Sequence, residues 1–170
     1  MRSCGLRPMA KTFIALGGNT GDRLANLLAA LERLEEIMTI ERRSAVYETA
    51  PKYVTDQPPF FNMVVSGETD LAPEPLLDAL KEIEQALGRV EGQRFGPRPI
   101  DLDILFYDDL QIDTPRLTIP HPRLHERRFV LAPLADIAPT FLHPASGQTI
   151  AEMLDALPPD DDVRRIDGEA

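Results

Sequence analysis

The residues best suited to chemistry are two carboxylates in the stretch Gly96-Pro97-Arg98-Pro99-Ile100-Asp101-Leu102-Asp103-Ile104-Leu105-Phe106-Tyr107. Read as a strand, Ile100, Leu102, Ile104 and Phe106 form a core face, and Asp101, Asp103, Leu105 and Tyr107 form the other. The two carboxylates then stand roughly 6–7 Å apart at Cα. Like charges this close on a hydrophobic strand repel one another and resist desolvation. Such a pair is either a solvated strand face or a cation site. Carboxylates suit Mg²⁺, which keeps several waters and shares its shell with substrate phosphates. Two of them on one face can bridge two ions about 4 Å apart.

Other groups complement the pair. Arg89, Arg94 and Arg98 precede it, and Arg116, Arg123, Arg127 and Arg128 follow it, in a chain whose net charge is −10. Guanidinium forks match phosphate oxygens, so these arginines are either solvated loop charges or a local anion trap. His121 lies between Pro120 and Pro122, where a stiff backbone suits it to donate to a phosphate oxygen or to serve a structural role. Asn62 interrupts the apolar run Phe60–Val65 and offers both donor and acceptor to a planar heterocycle, on which Phe60 and Phe129 can stack. Gly17-Gly18-Asn19 fits neither common phosphate-loop pattern and reads as a tight β-α turn whose backbone can line a pocket.

The elements that must carry these groups follow from periodicity. Lys11–Leu16 is a strand closed by a glycine-rich loop, and residues 22–38 form a helix with Leu24, Leu27, Leu28, Leu31, Leu34 and Ile37 at helical spacing. Ile40–Tyr47 is β-rich, and residues 48–59 form a proline-containing loop. Phe60–Glu68 is a strand with Phe61, Met63 and Val65 on one face and Phe60, Asn62 and Val64 on the other. A second helix spans 73–87, with Pro73 at its first position and Gly88 at C′. A polar loop, 89–98, leads into the Asp-Leu-Asp strand. This order, β-α-β-β-α-β, predicts an α+β, ferredoxin-like core with an antiparallel sheet and two helices on one face. A C-terminal extension follows, comprising a small hairpin within 110–119 and short helices at 129–138 and 149–157.

With 170 residues, 43% hydrophobic and 27% charged, the chain reads as a single domain over 11–157. Residues 1–10 read as a disordered leader or the product of an upstream start, and 158–170 as a loose acidic tail. The acidic balance argues against nucleic acid or an anionic membrane as partner. A single cysteine, Cys4, leaves no internal disulfide or cysteine metal cluster, which fits a reducing cytoplasm. No apolar run approaches the roughly 20 residues that span a bilayer.

Several segments occur in a characteristic order: Ala15-Leu16-Gly17-Gly18-Asn19, Tyr47-Glu48-Thr49, Phe61-Asn62, Leu87-Gly88-Arg89, Gly96-Pro97-Arg98-Pro99-Ile100-Asp101-Leu102-Asp103, Ile119-Pro120-His121-Pro122-Arg123 and Arg128-Phe129-Val130-Leu131-Ala132-Pro133-Leu134. Together they resemble the 6-hydroxymethyl-7,8-dihydropterin pyrophosphokinases of folate biosynthesis. The resemblance implies a ferredoxin-like fold and transfer of the ATP diphosphate to the pterin hydroxymethyl group, with release of AMP. It implies that Asp101 and Asp103 hold two Mg²⁺ ions. It matches Arg89, Arg98, Arg116, His121 and Arg127 to ATP contacts and charge stabilisation, and Glu84 and Thr118 to nucleotide contacts. Thr49, Phe60, Asn62 and Phe129 match the pterin pocket. Arg98, Asp101, Asp103, Arg89 and His121 are the catalytic candidates, and the partners are the two small substrates, with a monomer expected. Two rival functions share these residues: a metal-dependent phosphohydrolase using the Asp pair, and a non-catalytic ligand-binding module. The chain departs from the family at Glu91-Gly92, where basic residues are frequent, at Phe95, where tryptophan is common, and at Ala50 and Lys52 in the pterin loop.

Overall fold

The computed structural model describes residues 9–50, 59–88, 99–158 and 163–166. Strand β1 (Ala10–Gly18) leads into helix α1 (Arg23–Leu34), which Asp22 caps by accepting the Ala25 amide at 3.1 Å. Two short strands, β2 (Thr39–Arg43) and β3 (Tyr47–Thr49), both pair with the long strand β4 (Phe60–Thr69). Ser44 spans the break between them: its amide donates to the Val64 carbonyl and its hydroxyl accepts the Val64 amide, both at 2.9 Å. Helix α2 (Pro73–Ala86) begins on its proline and ends at Gly88, whose φ of 102° only glycine adopts readily. Strand β5 (Asp101–Tyr107) completes the order β5-β1-β4-β3. A two-residue hairpin follows, β6 (Ile112–Asp113) with β7 (Thr118–Ile119), then helices α3 (Arg128–Ile137) and α4 (Ile150–Asp155).

The described pairings of the large sheet are all antiparallel, and both faces are used. One buries Ile14, Leu16, Met63, Val65, Leu102 and Ile104 beneath α1 and α2. The other gathers Phe13, Val64, Leu105 and Phe106 beneath Val130, Leu131 and Leu134 of α3 and Ile150 and Met153 of α4. The two core helices share one face as expected, and α3 and α4 of the extension cover the other. Burial of a leucine or phenylalanine stabilises by about 1.5–3 kcal/mol, so each layer makes a substantial contribution.

Three local expectations change. First, β5 does not alternate along its whole length. Ile14 pairs with Ile104 but Phe13 pairs with Phe106, so Leu105 is an extra residue, a β-bulge. Downstream of it the faces swap: Phe106 packs with Leu105 and Phe13 on the α3 side, and Tyr107 joins the α1/α2 core. Secondly, Leu24 and Leu28 are exposed, because the buried stripe of α1 runs along Leu27, Ala30, Leu31 and Leu34 and those two leucines flank it. Thirdly, the tail contributes a strand, β8 (Val163–Arg165), which pairs antiparallel with β3. The free edge of β3 offers unpaired backbone groups that a short basic segment can satisfy despite its polarity.

Candidate active site

On the α3 side of the sheet the side chains shrink along β1 from Phe13 to Ala15 to Gly17. The register sets Asp103, Ala15 and Val64 in one row and Asp101, Gly17 and Asn62 in the next. Helices α3 and α4 cover the Phe13 end, while the Gly17 end carries the polar groups. With strands about 4.8 Å apart, Asp101 and Asn62 stand about 10 Å from each other across a glycine. The result is a trough with Asp101 and Asp103 on one wall, Asn62 on the other, and a floor of Gly17 and Ala15. Sequence reading assigned Gly17 to a turn; it belongs to β1, and the tapering of Phe13, Ala15 and Gly17 is the signal that marks the floor.

The floor must be bare. A Cβ on Gly17 would stand 2.6 Å from Asn62 Oδ1, inside any tolerable contact. The Asn62 amide is itself fixed: Nδ2 donates to Thr49 Oγ1 at 2.8 Å, and the two residues are only 8% and 4% exposed. Phe60, half-buried, pairs across the sheet with Thr49. Thr49, Phe60 and Asn62 are thus brought together at one end of the β3–β4 ladder.

On the opposite wall Asp101 is half-buried and Asp103 exposed, both on the same face as predicted. Between them the Leu102 amide donates to Glu84 Oε2 at 2.7 Å. Glu84, 5% exposed and carried on α2, therefore secures the outer edge of β5 just behind the aspartates. On the same edge the His121 amide donates to the Leu105 carbonyl at 3.2 Å, which ties the Ile119-Pro120-His121 segment to the strand. Two hard oxygen donors one residue apart fit a Mg²⁺ ion that completes its shell with water and phosphate oxygens. Among the described residues no group of three or more His, Cys, Asp or Glu could hold a metal, so a full protein cage does not form there.

His121, Arg127 and Phe129 cluster beyond that edge. The Arg127 guanidinium lies 5.6 Å from the Phe129 ring centroid. Burial pushes the His121 imidazole down to about 4, with Arg127 and Arg123 adding to the effect, so it is neutral at physiological pH. Nδ1 accepts the Arg123 amide at 3.3 Å, which leaves Nε2 carrying the proton as a donor. Thr118 is half-buried in β7, which packs against β5. Arg116 is turned elsewhere: it is exposed and pairs with Glu74 at 2.9 Å and Asp78 at 2.6 Å, about 9 Å along α2 from Glu84. Arg89, Arg94 and Arg98 lie outside the described residues.

Two further residues to which sequence reading gave no role support this constellation. Arg23 contacts Glu48, the Pro59 carbonyl and the Phe61 ring. Tyr47, in the same row as Asn62, donates to both carboxylate oxygens of Asp136 at 3.0 and 3.1 Å, which ties β3 to α3. Burial and the Asp136 carboxylate push the Tyr47 phenol up to about 12, so it remains a donor. Their roles come from contacts between elements distant in sequence, which leave no periodic trace.

Residues 13–139 match the family profile described as 7,8-dihydro-6-hydroxymethylpterin-pyrophosphokinase (HPPK). A 2-amino-4-hydroxy-6-hydroxymethyldihydropteridine pyrophosphokinase of Methylorubrum extorquens is 43% identical over 153 residues, 89% of this chain and 96% of the relative. The Aquifex aeolicus protein of the same name is 42% identical over 144 residues, covering 85% and 90%. The mitochondrial folate synthesis bifunctional protein of Pisum sativum is 53% identical over 131 residues; the match takes in 76% of this chain but only 25% of that longer protein. A crystal structure of Plasmodium falciparum HPPK-DHPS with pteroate superposes with a TM-score of 0.72 at 18% identity, over 90% of this chain and 43% of the other, which is a likeness of fold. The matched span holds both walls of the trough and the His121–Phe129 cluster, and on that ground this chain belongs to the 7,8-dihydro-6-hydroxymethylpterin-pyrophosphokinase family.

Proposed function

We propose that the chain transfers the diphosphate of ATP to the hydroxymethyl oxygen of 6-hydroxymethyl-7,8-dihydropterin, giving AMP and the pterin diphosphate in folate biosynthesis. The observation that carries this reading is the row Asp101–Gly17–Asn62, which sets an anionic wall and an amide wall on either side of a bare floor. Asn62, held by Thr49, offers its amide to the pterin edge, and Phe60 and Phe129 stack on the ring. Asp101 and Asp103 hold Mg²⁺, which when bound neutralises phosphate charge and aligns the attacking and leaving oxygens. Glu84 keeps those aspartates in register through the Leu102 amide. His121, neutral with its proton on Nε2, and Arg127 donate to phosphate oxygens; Arg89, Arg98 and Thr118 complete the nucleotide contacts, joined by Arg116 once it leaves Glu74 and Asp78. Catalysis rests on in-line positioning and electrostatic clamping, with no protein nucleophile.

The same reading takes β1-α1-β2/β3-β4-α2-β5 as a ferredoxin-like βαββαβ core, with the hairpin and later helices as its extension, and the enzyme as a cytoplasmic monomer. Incubation with ATP, Mg²⁺ and 6-hydroxymethyl-7,8-dihydropterin, followed by chromatography, should give AMP and pterin diphosphate in equal amounts, and only when pterin is present. Phosphate release without pterin would instead identify a phosphohydrolase, and binding without turnover a non-catalytic module.

A further inference from the structure

Thr49 and Phe60 are the last pair of the β3–β4 ladder, and an unbraced ladder end frays. One side chain from a third element braces it. Arg23, in the first turn of α1, donates from one guanidinium nitrogen to Glu48 Oε2 at 3.2 Å and to the Pro59 carbonyl at 2.8 Å. Its guanidinium carbon also lies 4.0 Å from the centroid of the Phe61 ring. Glu48 adjoins Thr49, Pro59 adjoins Phe60, and Phe61 lies between Phe60 and Asn62. Arg23 therefore holds a neighbour of each of the three residues read above as the pterin wall, from the opposite face of the sheet. Its own position is set by the Asp22 cap of α1. Glu48 is braced a second time by Arg164 of β8, at 2.6 Å. A group that bonds two acceptors from one nitrogen while its planar, delocalised centre lies over a ring is a task for arginine; a lysine ammonium has no planar face to set on the ring.

We infer that Arg23 is a positioning residue for pterin recognition, setting the spacing of Thr49, Phe60 and Asn62 without touching either substrate. The inference rests on the pterin reading of that wall. Its test is calorimetric titration of wild type, Arg23→Ala, Arg23→Lys and Glu48→Gln. Each is titrated with a non-hydrolysable ATP analogue plus Mg²⁺, and then with 6-hydroxymethyl-7,8-dihydropterin in the presence of both. Arg23→Ala should weaken pterin binding about tenfold, the equivalent of about 1.4 kcal/mol. Analogue binding should stay within about twofold and kcat at saturating pterin should change little. Arg23→Lys should fall between wild type and Arg23→Ala, and Glu48→Gln, which keeps an acceptor, should stay near wild type. Unchanged pterin affinity in Arg23→Ala overturns the inference, as does an equal loss for both ligands, which would mark a general loss of structure. A wild-type protein that binds no pterin overturns the functional reading itself, so the two failures are distinguishable.

Discussion

Adding one methyl group at Gly17 should separate pterin recognition from folding. The new Cβ would stand 2.6 Å from Asn62 Oδ1, so the amide oxygen must retreat about 0.8 Å to reach the 3.4 Å of ordinary contact. A rotation of the amide that frees the oxygen carries Nδ2 away from Thr49 Oγ1, now 2.8 Å distant. The lost hydrogen bond costs about 0.5–1.5 kcal/mol, and a buried amide left unsatisfied about 1–3 kcal/mol. Lower chain entropy in the unfolded state offsets about 0.5–1 kcal/mol of this. The fold should lose about 1–2 kcal/mol and survive. Pterin binding loses both the aimed amide and the open floor, and should weaken by about 30- to 100-fold, or about 2–3 kcal/mol. Calorimetry with pterin in the presence of Mg²⁺ and an ATP analogue reads the affinity, and thermal melting reads the stability. If Gly17→Ala binds pterin within twofold of wild type, neither the trough nor the role of Asn62 stands.

Further outcomes follow from the other wall. Asp101→Ala and Asp103→Ala should each abolish Mg²⁺-dependent diphosphate transfer; near-wild-type turnover in both would sink the metal assignment. His121 should make stability depend on pH. Its folded pKa of about 4 lies below the ordinary 6.5, so between these values the unfolded chain binds the extra proton. Stability from this group is therefore complete above pH 6.5 and is lost as pH falls toward 4. The full span is worth about 3 kcal/mol at 1.36 kcal/mol per pH unit, and partial solvent access trims it to about 1–2. Urea unfolding at pH 7 and pH 5 should show a steeper loss in wild type than in His121→Gln, and parallel losses would contradict the assignment.

Much of this arrangement was legible in the sequence wherever periodicity reports burial. In β4 the alternation of Phe61, Met63 and Val65 with Phe60, Asn62 and Val64 holds, because a central strand paired on both sides keeps a strict two-residue repeat. The Asp101–Asp103 face was legible although β5 is an edge strand, because the two-residue repeat holds from Asp101 to Ile104, before the bulge. What escaped depends on neighbours distant in sequence. Leu24 and Leu28 have the right spacing for a core stripe, but α1 rotates so that Leu27 and Leu31 face the sheet. Val163–Arg165 has no strand signature of its own and becomes a strand only because β3 presents a free edge. Arg23 looks like one more charge at a helix start until the ladder end beside it is known.

The bulge in β5 shows how one such neighbour effect reaches the site. With strict alternation Phe106 would face α1 and α2, and Leu105 rather than an aromatic ring would stand opposite Phe13. The extra residue turns Phe106 over, and it meets Phe13 edge-on at 5.8 Å and Phe141 at 4.7 Å. Both carbonyls at the irregularity are satisfied: Phe106 accepts the Thr12 hydroxyl at 2.9 Å, and Leu105 accepts the His121 amide at 3.2 Å. With both carbonyls bonded, the bulge is a built feature of the strand, not a defect. It has two consequences for chemistry. Downstream, it builds the aromatic layer beneath α3, the core cluster against which Phe129 also packs. At its own carbonyl it anchors the backbone of His121 to the strand that carries Asp101 and Asp103. A single inserted residue thus ties the strand that carries Asp101 and Asp103 to the His121 segment.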